Sequence, residues 1–199
     1  MEKQINLELG AAYIVIENLE VYVLFFCRFA VILLFTFSFI TKIVDINNYA
    51  SSIGRFNLIP SRFSKIAAML LIAQEFLIVV LLLLNIRFQV VGFGIASVIL
   101  LIFTFAIGAA LFRGLRISCN CFGASEKRIS TYDILRNILF IICSVIGLTL
   151  LTNGKNMVET PTLVEAIIVS FWAIAFLQIA TNLSSVASLF EQNFNKEKK

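Results

Sequence analysis

The chain has 199 residues, of which 60% are apolar and 14% charged, and its mean hydropathy is +0.96. A soluble globular domain does not have that composition, so this is an integral membrane protein. The net charge of +4 is modest, and the basic residues flank apolar runs, where lipid head groups account for them without a nucleic-acid partner.

Residues 1–20 are a short polar segment carrying Glu2, Glu8, Glu17 and Glu20. No basic stretch precedes an apolar core there, so the first apolar run is expected to stay in the mature protein rather than leave with a signal peptide. That run, 21–41, is the first of five long enough to cross a hydrocarbon core that takes about 20 apolar residues per helix. The others are 66–86, 88–112, 134–152 and 163–183. A tight Asn85-Ile86-Arg87 turn makes the second and third an antiparallel hairpin. The connections 42–65 and 113–133 fall below the ~40 residues that a separate domain needs. Residues 184–199 are a polar, basic tail with the character of a solvated end. The expected architecture is all-α: one multi-pass helical bundle over 21–183 in the cell membrane, with the lipid bilayer as its first partner.

Charges inside the apolar runs come next. Arg28 lies about seven residues into the first run and Glu75 near the middle of the second; such charges are costly and face a partner or a wet cavity. At ~1.5 Å rise per residue their depths differ by about one turn, which makes an Arg28–Glu75 pair the natural expectation. The alternative for Arg28 is to snorkel to the interface. Glu75 is too short to do so from mid-span, which leaves it pairing or a protonated carboxyl. Lys42, at the end of the first run, reads as an interfacial anchor. Gly92, Ala96, Gly108 and Ala110 permit close helix contact in the third run. Tyr49, Phe56 and Trp172 read as belt or core aromatics. Cys27 and Cys143 lie within apolar runs, where a thiol packs as a small apolar side chain. Cys27, nearer a membrane surface, is a secondary thiol candidate.

Between the third and fourth runs stands Cys119-Asn120-Cys121-Phe122-Gly123. Two sulfurs that close in sequence can form a strained, labile disulfide suited to exchange. Arg113, Arg116, Lys127 and Arg128 surround the pair in sequence, and positive neighbours favour the reactive thiolate. The residues alone leave three readings open. One is redox chemistry. A second is soft-metal binding, for which two thiolates fill half of a tetrahedral site and the chain has no histidine. The third is two indifferent free thiols. Neither a metal nor another cofactor is implied.

Lysine and arginine set an orientation. Residues 1–20, 85–88 and 153–162 hold Lys3, Arg87 and Lys155, whereas the opposite set holds Lys42, Arg55, Arg62, Lys65, Arg113, Arg116, Lys127, Arg128, Lys196, Lys198 and Lys199. The positive-inside bias then puts the N-terminus outside, the C-terminus inside and the Cys119/Cys121 loop inside. Cys27 falls near the outer face in that arrangement, out of reach of direct exchange with the loop.

Arg28 and Lys42 bracketing the first run, Phe56-Asn57-Leu58-Ile59-Pro60 before the second, Glu75 within it and Cys119-Asn120-Cys121-Phe122-Gly123 after the third resemble the MauE group of DoxX-like membrane proteins. The likeness spans about residues 21–183, and Cys-x-Cys-Phe-Gly is its most specific part. It implies a four-helix DoxX-like core with a fifth C-terminal span in the inner membrane. It also implies a role in disulfide formation or maturation of an exported, disulfide-containing client, with a thioredoxin-like partner and with Cys119 and Cys121 as the redox-active pair. Whether the chain has turnover of its own is not implied. The family role favours chemistry at the outer face, opposite to the charge bias. The competing reading is a non-enzymatic assembly, immunity or export-accessory protein with incidental cysteines. A transporter is less well supported, because repeated broken helices are missing from the pattern.

Overall fold

The computed structural model describes residues 2–55, 60–114, 131–153 and 162–182. They form six α-helices: α1 (Glu2–Val44), α2 (Ile46–Arg55), α3 (Ser64–Leu83), α4 (Ile86–Phe112), α5 (Thr131–Asn153) and α6 (Leu163–Thr181), with a 3-10 turn at Ser61–Phe63 before α3. Among the described residues, five stretches are long and apolar enough to cross a membrane: Leu19–Val44, Ser64–Leu83, Ile86–Phe112, Thr131–Asn153 and Leu163–Thr181. The all-α, multi-pass bundle expected from hydropathy is therefore present, with boundaries a few residues from those read in the sequence. The backbone of the polar N-terminal segment is helical and continuous with the first span.

Local chemistry sets the helix ends. The α3–α4 junction is only Leu84 and Asn85, which forces an antiparallel hairpin. α4 ends where Gly114 enters the left-handed region at φ 64° while its N–H donates to the Leu111 carbonyl, a conformation that favours glycine. α6 starts on a capping box: the Thr162 side chain accepts from the third helical N–H, and the Thr162 N–H donates to Glu165 Oε2 at 2.8 Å. Glu165 Oε1 also accepts from the Tyr22 hydroxyl at 2.7 Å, which ties the start of α6 to α1.

α1, α3, α4 and α5 enclose the main core, with Leu34, Phe35, Ile78, Leu82, Phe93, Phe140 and Cys143 among its buried members. α6 packs on α1 and turns Ile167, Ile168, Phe171 and Trp172 outward, which fits a lipid-facing helix. Lipid tails are as apolar as leucine, so close packing rather than water exclusion holds such helices together. Gly92 admits Leu82 of α3, and Gly147 admits the ring of Phe93. Above that ring, the Ser144 hydroxyl donates to the Phe93 carbonyl at 2.9 Å. The other small residues differ: Ala96 and Ala110 are buried, whereas Gly108 has no neighbour near its missing side chain.

A matched pair of substitutions tests this packing. A Cβ on Gly147 would lie 2.5 Å from the Phe93 ring, and that ring is fully enclosed and has no room to retreat. Overpacking costs about 1–3 kcal/mol, against about 1 kcal/mol gained in helix propensity. Gly147→Ala should therefore lower the unfolding temperature in detergent, while Gly108→Ala should leave it unchanged or raise it.

Candidate functional site

α1 and α3 run antiparallel with a definite register. The Arg28 Nε–H donates to the Leu82 carbonyl at 2.8 Å, while Ser38 and Lys42 meet Glu75 further along. Continuing that register at ~1.5 Å per residue brings Val44 opposite the second turn of α3, so α1 stops inside the bundle rather than at its rim. α2 fills the space this leaves and packs Tyr49 and Ala50 on Ala68 and Ile72 of α3.

Lys42 is consequently buried, at 1% exposure, and forms an ion pair with Glu75, which is equally buried. Glu75 Oε1 accepts from both Lys42 Nζ and the Ser38 hydroxyl, the latter at 3.0 Å. The Lys42 ammonium lies 4.8 Å from the centre of the Tyr49 ring and 4.9 Å from that of Phe103 on α4, an arrangement that stabilises a desolvated cation. Burial, and then the negative charge of Glu75, push the Tyr49 phenol above its ordinary value, so it stays a neutral hydroxyl. From α5, the buried Arg136 adds a second positive charge felt by Lys42 and is itself paired with Asp133 at 3.3 Å. Formal charges in the cluster cancel. Glu75 Oε2 is buried and has no hydrogen-bond partner among the described residues. It is the free acceptor of the site, open to a donor or a transferred proton.

This geometry corrects two expectations. Glu75 pairs with Lys42 and not with Arg28, because the α1–α3 register sets Arg28 level with the end of α3. There the guanidinium caps a carbonyl that the helix cannot satisfy itself, with the Phe25 ring 5.9 Å away. Lys42 is not an interfacial anchor, because α2 covers it. Of the aromatics read as belt or core, Tyr49 is a core residue of this site, whereas Trp172 is exposed on the lipid-facing side of α6.

The cluster lies toward the end of the bundle where α1 finishes, α3 begins, α4 finishes and α5 begins. The connection carrying Cys119 and Cys121 leaves α4 after Gly114 and rejoins at Thr131. Those two cysteines, together with Arg116, Lys127, Arg128, the Phe56–Ile59 stretch and the 184–199 tail, lie outside the described residues. Among the described residues, Cys27 on α1 and Cys143 on α5 are free and buried in the same apolar core. No group of three or more His, Cys, Asp or Glu residues among the described residues could hold a metal ion.

The fold and the site together define a small polytopic membrane bundle closed around a buried ion pair. Residues 20–150 match the family model of methylamine utilisation protein MauE, about two thirds of the chain. The chain belongs to the MauE family of DoxX-like membrane proteins. No curated protein and no solved structure matches it.

Proposed function

We propose that this protein is a thiol–disulfide redox component of the membrane, in which Cys119 and Cys121 cycle between dithiol and disulfide. The observation that carries this reading is the Cys-x-Cys-Phe-Gly motif in a chain of the MauE family. In the exchange, one thiolate attacks the disulfide of a thioredoxin-like partner to give a mixed disulfide. The second thiolate resolves it, forming the Cys119–Cys121 bond and leaving the partner as a dithiol. Two electrons move to the partner. Run in reverse, a partner thiolate attacks the Cys119–Cys121 disulfide and draws the exchange toward a partner disulfide and a Cys119/Cys121 dithiol, and this is the direction that oxidises a client. The ultimate client in this reading is an exported protein that needs disulfides, the role that the resemblance to the MauE group implies.

Three readings of the helices and their charges accompany the chemistry. α1, α3, α4 and α5 are the four-helix DoxX-like core, with α6 as the added span. Glu75 takes up a proton released as the thiols oxidise, its Oε2 being the buried acceptor without a partner at that end of the bundle. Arg28 stabilises the α3 terminus.

Thiol labelling in intact cells with a membrane-impermeant reagent, before and after reduction, tests the proposal. Labelling of Cys119 and Cys121 that requires prior reduction places an oxidised pair at the outer face and supports exchange with an exported system. Labelling that requires permeabilisation and no reduction places free thiols inside, as the positive-inside bias predicts. That result overturns the exchange role in favour of a membrane assembly protein.

A further inference from the structure

We propose that α2 is a hinged cover that swings about Asp45 to admit water to the Lys42–Glu75 pair. The purpose of the movement rests on the reading of Glu75 as a proton acceptor; the movement itself does not. A carboxylate that takes up protons has to meet water, yet Glu75 and Lys42 are each only 1% exposed. Glu75 lies about 17 Å along α3 from Ser64 at a rise of ~1.5 Å per residue. Lys42 is near the end of α1, which stops inside the bundle, and α2 occupies the space beyond it. With the Tyr49 ring 4.8 Å from the Lys42 ammonium, α2 is the element that stands between the pair and that end of the bundle.

The packing and the hydrogen bonds let α2 move as a unit. Its Ile46, Tyr49, Ala50 and Ile53 pack with Ala68, Leu71 and Ile72 of α3 in an apolar cluster separate from the main core. Lifting α2 therefore leaves that core intact. α1 and α2 meet at Asp45, a single residue outside either helix. Its carboxylate accepts from the Asn48 backbone N–H at 3.3 Å and from the Asn48 side-chain amide at 2.6 Å, which holds the first turn of α2 whether or not the helix lies on α3. The Ser51 and Ser52 hydroxyls donate to the Asn48 carbonyl, within α2 itself.

The bilayer lowers the cost of opening. α2 is amphipathic: Asn47, Asn48 and Ser51 are exposed, while Ile46, Tyr49, Ala50 and Ile53 form the opposite face. A helix of that kind at the membrane end turns its apolar face into the boundary between head groups and acyl chains. The surface that leaves α3 then passes to lipid and not to water, so close packing is lost with little hydrophobic penalty. The specific contact given up is that of the Tyr49 ring with the Lys42 ammonium. An element held in this way belongs to the part of a protein that opens locally while the rest stays folded.

The test is carbodiimide labelling of the full chain in phospholipid nanodiscs. A water-soluble carbodiimide with glycine methyl ester converts a carboxyl that it reaches into an amide, with the added amine or with Lys42 itself. Glu75 is the only carboxylate between Lys65 and Arg87, so mass spectrometry of that peptide reads it alone. Ile53→Ala truncates the apolar face of α2 away from the ion pair. It should raise the rate of Glu75 labelling about tenfold, which corresponds to about 1.4 kcal/mol of lost α2–α3 packing. Ile46→Ala serves the same purpose should Ile53→Ala fail to accumulate. Gly147→Ala, which strains the main core instead, should lower the unfolding temperature and leave Glu75 labelling at the wild-type rate. Equal labelling in the wild type and the α2 variants overturns the proposal. So does a rise in Gly147→Ala as large as that in Ile53→Ala, because access would then come from general loosening of the bundle. Raised labelling in Ile53→Ala together with normal client oxidation in Lys42→Met/Glu75→Leu upholds the cover and removes proton uptake from Glu75.

Discussion

Glu75→Leu is expected to destabilise the protein by about 3–5 kcal/mol, because it leaves Lys42 charged, enclosed and without its carboxylate. Lys42 lies under Tyr49 and beside Phe103, and α2 closes the route by which a lysine at a helix end ordinarily reaches the interface. Insertion scales put an unpaired lysine in mid-membrane at about 2.5–3.5 kcal/mol. Loss of the proton from Lys42 would bring the cost toward that lower figure. Lys42→Met should be nearly as harmful, since it strands the carboxylate with only the Ser38 hydroxyl as donor.

The double variant separates the pair's structural worth from its functional one. A buried ion pair replaced by apolar groups of similar volume is often neutral or stabilising, so Lys42→Met/Glu75→Leu should recover most of the stability lost by either single change. Melting curves in detergent for the four proteins give the coupling directly. Wild-type stability in Glu75→Leu alone would mean that Lys42 is not enclosed in the bilayer as described. A double variant that folds but no longer supports client oxidation would mean that the carboxylate takes part in proton movement, because packing would then be intact.

How much of this was legible in the sequence follows from the physics of each signal. Span number and approximate bounds came from hydropathy alone, because a helix in lipid must be long and apolar whatever its neighbours. That Glu75 needed a partner was also readable, since a short carboxylate in mid-span has nowhere to go. Which cation it meets was not. Counting residues from span ends assumes that every helix starts at the same rim, and α1 does not; its offset against α3 moves Arg28 to the carbonyl of Leu82 and brings Lys42 to Glu75. A signal was present in Ile46–Arg55, whose polar residues alternate with Ile46, Tyr49, Ala50 and Ile53 at helical spacing. Recognised as an amphipathic helix lying over the end of α1, it would have placed a cover on Lys42. Arg136, inside the fourth apolar run, is a buried cation whose need for a partner is legible by the same reasoning as that of Arg28.

Replacing Cys119 and Cys121 together by serine is expected to abolish client oxidation while the chain still accumulates in the membrane, and the single replacements should differ from each other. In a two-cysteine exchange, one sulfur attacks and the other resolves. Serine at the resolving position traps the mixed disulfide with the partner, which appears as a band of higher mass that reduction removes; serine at the attacking position yields no such adduct. The pair of single variants therefore assigns the roles that sequence leaves open. Spacing supplies a further test. With only Asn120 between the sulfurs, the disulfide is strained, and strain makes a disulfide more oxidising. Inserting one glycine after Asn120 should relieve part of that strain and lower the reduction potential by roughly 30 mV for each 1.4 kcal/mol released. Client oxidation should then slow without being lost, whereas incidental cysteines predict no change in either the potential-dependent rate or the trapped adduct. Normal client oxidation in the double serine variant would remove thiol exchange from the protein's function and leave the buried pair of Lys42 and Glu75 as the chemistry to be explained.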